Sequence, residues 1–150
     1  MQVWFEGQNE ISCGLDHVEQ AVANAGEYFT NVVSLMPGLT SVALIEVQGD
    51  NVTIKTNEGL MKRTNISTRS QPDRVELEFD EVYQAGSKIT TNSHFNHQFV
   101  ANDQGVTHLL VISDVTAPGL LGFFYRKFGS SKIGKAFLNA HKAQLEKAIG

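Results

Sequence analysis

The sequence predicts an α+β domain of element order β-α-α-β6-α, with a strongly curved seven-stranded antiparallel sheet wrapped around one long C-terminal helix. Three observations carry this. From Ser41 to Thr116, apolar and polar residues alternate in segments separated by short turns rich in Gly, Asn and Asp, the pattern of an antiparallel meander. From Pro118 to Gly150 no further proline occurs, and the second half of that stretch is amphipathic at helical spacing. So much strand needs a cover for its buried face, and this terminal helix is the large one available.

In chain order, Val3 to Ser12 reads as a first strand with Gly7 as a bulge. Asp16 followed by Glu19 resembles a capping box and starts a short helix over His17 to Ala25. Gly26 interrupts it. Glu27 to Leu35 follows as a second short helix with Tyr28, Phe29, Val32 and Val33 on its apolar side, and Met36-Pro37-Gly38 ends the pair. Strands are then expected at Ser41–Gln48, Val52–Thr56, Leu60–Thr68, Arg74–Asp80, Lys88–Ala101 and Val106–Thr116. Arg74 to Asp80 alternates charge and hydrophobe, which gives one face in water and one in a core. In the terminal helix, Gly134, Phe137, Leu138, His141, Leu145, Ala148 and Ile149 share one face, opposite Lys135, Asn139, Lys142 and Glu146. The stripe of Leu120, Leu121, Phe124 and Phe128 lies roughly a quarter turn away. A bend is therefore expected near Gly129-Ser130-Ser131.

The chain length suits one domain, residues 1–150, with a real core, and is too short for two comfortable ones. A net charge of −4 and the absence of any Arg/Lys stripe argue against nucleic acid as a partner. Cys13 is the only cysteine, which excludes an intramolecular disulfide and a cysteine metal cluster. Met1 to Glu6 lacks the basic and apolar regions of a signal peptide, and no stretch is long enough to span a bilayer. A cytoplasmic chain without stable membrane insertion is expected.

The element order, the Met36-Pro37-Gly38-Leu39 that closes the helix pair, the strand end Thr116-Ala117-Pro118-Gly119 and the entry Gly119-Leu120-Leu121-Gly122-Phe123-Phe124 resemble the START-related superfamily (SRPBCC). Its members include polyketide cyclase/dehydrase-like, lipid-transport, coenzyme Q-binding and birch-pollen-allergen-like proteins. The segment Pro37-Gly38-Leu39-Thr40-Ser41-Val42, followed by Gly49-Asp50, is similar to the branch of that superfamily associated with carbon monoxide dehydrogenase. The likeness spans the whole chain. It implies a helix-grip fold, in which sheet and helix enclose an apolar cavity for lipids, sterols, quinones or polyketide intermediates. A minority of members do chemistry on such molecules, and no cofactor is implied.

The walls of such a cavity would come from Val75, Leu77, Phe79, Phe95 and Phe99 on the strands and from Phe124, Phe128 and Phe137 on the helix, with Phe123 beside them. A plain core has the same composition. Met61 and Arg63 alternate on the fourth strand and join this lining, Arg63 as a holder for a ligand's polar head or an acid or base, although a solvated strand end is its plainer reading too. His94 and His97 are three apart on one strand and face opposite ways; His97 shares its face with Phe95 and Phe99. If Ala101 pairs with Val106, Phe99 lies opposite His108, and His97 and His108 become diagonal neighbours. A bulged or odd-length loop sends His108 to the other face. No carboxylate or cysteine accompanies this pair, so no metal is expected, and His141 reads as a hydrogen-bonded core histidine. Glu81 and Tyr83 continue the phase of Phe79. With His97 they are the candidates for a proton transfer, although solvated strand ends are the plainer reading. Cys13 precedes a helix start, where a thiolate could be favoured, but an inert half-buried thiol is the plainer reading.

The leading functional expectation is a non-enzymatic binder or carrier of a hydrophobic small molecule, with the short helices and the loops near Gly59 and Gly86 gating entry. The competing expectations are a cyclase/dehydratase-type enzyme acting on a polyketide-like substrate, and a protein-interaction module similar to the superfamily's chaperone-ATPase activators. A homodimer is compatible with each.

Overall fold

A computed structural model describes residues 1–86, 89–116 and 129–147. Strand β1 (Val3–Ile11) leads into helices α1 (Leu15–Ala23) and α2 (Ala25–Val33). Six strands follow: β2 (Val42–Gln48), β3 (Asn51–Thr56), β4 (Gly59–Gln71), β5 (Arg74–Ala85), β6 (Ile89–Asn102) and β7 (Gly105–Thr116). The described part of the terminal helix is α3 (Ser130–Lys147). The strands form one sheet in the order β1-β7-β6-β5-β4-β3-β2, with every neighbouring pair antiparallel. Consecutive hairpins therefore build the meander, and β1 closes it beside β7.

One-residue register shifts bend the sheet. They fall between Val3 and Phe5, between Leu44 and Glu46, between Thr64 and Ser67, and opposite the Asn92/His94 step of β6. The two inner shifts contain Asn65 and Asp114, both at φ 54°, a left-handed conformation that Asn and Asp adopt more readily than other side-chain-bearing residues. The resulting concave face is covered by α1, α2 and α3. Val18 and Val22 of α1, Phe29, Val32 and Val33 of α2, and Phe137, Leu138 and Leu145 of α3 are buried in one core with the strand residues. This is the α+β, helix-grip arrangement that the sequence predicts.

Local differences have packing causes. Gly7 is not a bulge: it pairs in register with Leu110, and a Cβ there would stand 2.7 Å from the Phe5 ring. That same ring lies on Gly134 of α3, where any Cβ would collide with it, so two glycines let a strand and a helix close on one phenylalanine. Helix α1 starts at Leu15 with Gly14 as its N-cap and no side-chain cap, and Asp16 sits in the first turn, where a negative charge suits the helix dipole. The break between the short helices falls at Asn24 rather than Gly26. Gly26 lies inside α2, where a Cβ would come within 2.6 Å of Val47 on β2. Leu120, Leu121, Phe123, Phe124, Phe128, Ala148 and Ile149 lie outside the described residues, and with them the segment ahead of Gly129-Ser130-Ser131 against which the expected bend would be judged.

Candidate functional site

The pairing registers decide which side chains meet on the concave face. Phe79 stands opposite Phe95, Leu77 opposite His97, and Val75 opposite Phe99. On the next ladder Phe95 faces Ile112, His97 faces Leu110, and Phe99 faces His108. All of these are buried. Val75, Leu77, Phe79, Phe95, Phe99, Phe137 and Met61 thus point into the core, where the sequence places them. Phe79 stacks on Phe95 with ring centres 5.1 Å apart, and Phe137 meets Phe95 edge-on at 5.2 Å.

Arg63 and Glu81 stand directly opposite each other on β4 and β5, and both are buried. Glu81 is therefore no solvated strand end. Arg63 Nε donates to Glu81 Oε1 at 3.0 Å, and Nη2 lies 3.0 Å from the same oxygen. The guanidinium carbon also lies 4.6 Å from the centre of the Phe29 ring and 4.5 Å from that of Phe79, so the cation is held between an α2 aromatic and a sheet aromatic. Burial lowers the Arg63 pKa, and the charge and hydrogen bond of Glu81 oppose that. One donor remains: Arg63 Nη1 is buried with no hydrogen-bond partner among the described residues. An unmet buried donor of this kind costs about 1–3 kcal/mol, more on a charged group.

Next to this pair is a cluster the sequence only half reveals. His97 and His108 are both fully buried, with His97 Nδ1 2.8 Å from His108 Nε2. His141 of α3 closes over them, its ring centre 4.7 Å from that of His97 and 5.0 Å from that of His108. Its Nδ1 is 2.6 Å from the Tyr28 hydroxyl, so it is the hydrogen-bonded core histidine expected, but one that also completes a triad. Burial, first of all, pushes the three rings below the ordinary histidine range. His108 falls to about 3; neighbouring positive charge, including that of Arg63, adds to the shift of the other two. All three are neutral at physiological pH. The outer nitrogens of the pair, His97 Nε2 and His108 Nδ1, have no partner among the described residues. In either tautomer the neutral pair therefore strands one N–H and one bare nitrogen.

The remaining candidates lie elsewhere. Tyr83 is only half-buried; its hydroxyl lies 2.8 Å from Thr56 Oγ1 and donates to Glu58 Oε1 at 2.8 Å. Burial pushes its pKa up to about 12. Cys13 is buried, and burial, then the Glu146 charge, pushes its thiol up to about 11, which excludes the thiolate. On the surface a groove of about 310 Å³ runs between α1, α2 and α3, lined by His17, Asn24, Tyr28, Asn31 and Gln144. Among the described residues no helix is long and apolar enough to cross a membrane.

The fold is a helix-grip-like α+β fold, a curved seven-stranded antiparallel sheet covered by a long C-terminal helix. No protein-family model and no curated protein matches the chain. Solved structures do. A conserved protein from Geobacillus kaustophilus is 12% identical, with TM-score 0.67 over 95% of this chain and 95% of that one. A STAR-related lipid transfer protein fragment from Xanthomonas axonopodis is 12% identical at TM-score 0.57, over 93% of this chain and 84% of that one. The di-domain ARO/CYC StfQ from the steffimycin biosynthetic pathway is 11% identical at TM-score 0.55, over 97% of this chain and 51% of that one. At such identities the likeness is one of fold.

Proposed function

We propose that the chain binds a hydrophobic small molecule with an acidic or carbonyl head group, such as a lipid, quinone or polyketide-like compound, between the concave sheet face and the terminal helix. Its apolar body would be desolvated against Phe79, Phe95, Phe99 and Phe137, with buried apolar area as the main driving force. The observation that carries this reading is Arg63. A fully buried guanidinium whose Nη1 has no hydrogen-bond partner among the described residues, framed by aromatic rings, is a ready donor for an oxygen delivered on a greasy molecule. The lipid-transfer and ARO/CYC names of two fold neighbours are in keeping with it. Binding is favoured over chemistry because Glu81 is committed to Arg63 and Tyr83 to Thr56 and Glu58.

Displacement of 1-anilinonaphthalene-8-sulfonate by oleate and by oleyl alcohol tests this. Oleate should compete, and oleyl alcohol less well. Arg63→Met combined with Glu81→Leu removes the ion pair without leaving an isolated charge. It should weaken oleate by about tenfold or more, the loss of one charge-assisted hydrogen bond, and abolish the preference over the alcohol. No displacement by either compound, together with no apolar compound carried through purification on native mass spectrometry, would rule the reading out.

A further inference from the structure

We propose that His97, His108 and His141 form a three-histidine site for a divalent transition metal of the zinc type, assembled from β6, β7 and α3. This goes beyond the ligand-binding reading and does not depend on it. One ring nitrogen can be taken from each residue so that the three lie within 4.8 Å of one another, and all three residues are buried. Three nitrogens on one tetrahedral Zn²⁺ stand about 3.3 Å apart, so the rings are within about 1.5 Å of that arrangement.

The atoms assign themselves. His97 Nδ1 and His108 Nε2 already face each other. His141 Nδ1 is engaged by Tyr28, which leaves Nε2 as its ligand atom. On loading, the metal takes the place of the proton shared by His97 and His108. His97 then carries its hydrogen on Nε2, His108 on Nδ1, and His141 donates Nδ1–H to the Tyr28 oxygen. Each ring is neutral with one N–H before and after: the shared proton moves to the outer nitrogen that was bare, so none need be released, and both outer nitrogens then carry an N–H. A metal-bound histidine ordinarily donates its other N–H to such a partner, which makes Tyr28 a positioning residue. Neutral imidazoles alone favour Zn²⁺, Co²⁺, Ni²⁺ or Cu²⁺ over Mg²⁺ and Ca²⁺. A fourth position is left for water or a ligand oxygen. Tyr28, which holds His141, also lines the surface groove between the helices.

The test uses the full chain, stripped with chelator and titrated with Co²⁺ and then Zn²⁺. Expected are one metal per chain, intense visible absorption of near-tetrahedral Co²⁺ that Zn²⁺ abolishes, and a raised thermal midpoint with Zn²⁺. Replacing His97, His108 or His141 by Gln should abolish stoichiometric uptake. Tyr28→Phe should weaken it by about tenfold or more with the Co²⁺ spectrum retained. His17→Gln and His94→Gln should leave metal uptake unchanged. Absent uptake, or uptake that survives the core substitutions and falls with His17 or His94, overturns the proposal. Should the core variants fail to fold, the wild-type chain still decides. Zn²⁺ must shift the imidazole ¹⁵N resonances of the three buried histidines, and unmoved resonances overturn the site.

Discussion

Strands β5 and β6 carry the same kinds of charged side chain on their two faces and treat them in opposite ways. Outside, His94 is held between Asp80 and Glu78, at 2.7 Å from each. Burial alone would lower its pKa, but those hydrogen bonds and charges outweigh burial and hold the imidazole above its ordinary value. Inside, three residues further on, His97 meets another neutral imidazole. Burial, with His141, His108 and Arg63 nearby, keeps it well below that value. Glu81 and Asp80 differ by one step: one pairs with a buried arginine, the other with a half-exposed histidine. A single reversal of strand parity therefore decides whether a histidine is drawn toward its cationic form or away from it. Among the described residues the inner face admits full charge only as an ion pair, Arg63 with Glu81.

The largest consequence is acid sensitivity of the metal-free chain. Histidines in an unfolded chain titrate near 6.5, whereas folded His97, His108 and His141 titrate lower, His108 at about 3. With the folded value depressed, their contribution is complete above about pH 6.5 and is lost as pH falls below it, because the unfolded state binds protons that the fold refuses. Each histidine contributes a slope of about 1.4 kcal/mol per pH unit, so three give roughly 4 kcal/mol per unit. Against a total of about 5–15 kcal/mol, unfolding is expected between about pH 5 and 4 with uptake of about three protons. Urea midpoints measured from pH 7.5 down to 4.5 report this, and a flat profile would mean that the inner rings are not held neutral.

Second in size is the buried pair. Glu81→Gln leaves Arg63 charged and uncompensated among Phe29 and Phe79, and should destabilise the chain by about 3–5 kcal/mol. Arg63→Met with Glu81→Leu should recover most of that loss, because replacing both partners removes the isolated charge. Asp80→Asn on the outer face serves as the contrast and should stay under about 1 kcal/mol. Equal losses at positions 80 and 81 in denaturant melts would erase the distinction between the faces.

How far the sequence reaches is visible in these same residues. The face of His97 follows from parity alone. That of His108 follows once Asn102 pairs with Gly105 across Asp103-Gln104; Gly105 sits at φ 147° against the Ile11 carbonyl, where any side chain would clash. Arg63 is harder. Counting back from the Gln71–Arg74 pair without interruption sets it opposite Val82 on the outer face. The extra residue at Asn65 shifts the register and sets it opposite Glu81 inside. Local pattern carries only a hint of that bulge, an Asn able to take φ above zero. Glu81 reads as a solvated strand end for the same reason: its burial belongs to its partner on another strand. His141 is legible as a core position but not as a neighbour of the histidine pair. The height and rotation of α3 are set by the seat of Phe5 on Gly134, a contact across the whole chain.

The smallest effect, and the one that sharpens the comparison most, is at His94. Its folded pKa is raised, so its stabilisation is fully present below about pH 6.5 and is lost as pH rises through the folded value, the reverse of the inner rings. Glu78 and Asp80 are 45% exposed, so solvent screening reduces the pair energies. His94→Gln should therefore lower stability by no more than about 1 kcal/mol at pH 6 in low salt, and by less at pH 8.5 or in high salt, where the charge is reduced or screened. Urea midpoints at the two pH values, with an NMR titration of the His94 ring, check both magnitude and sign. A His94 titration below that of a free histidine would show that burial outweighs the two carboxylates, and the outer face would then obey the same rule as the inner one.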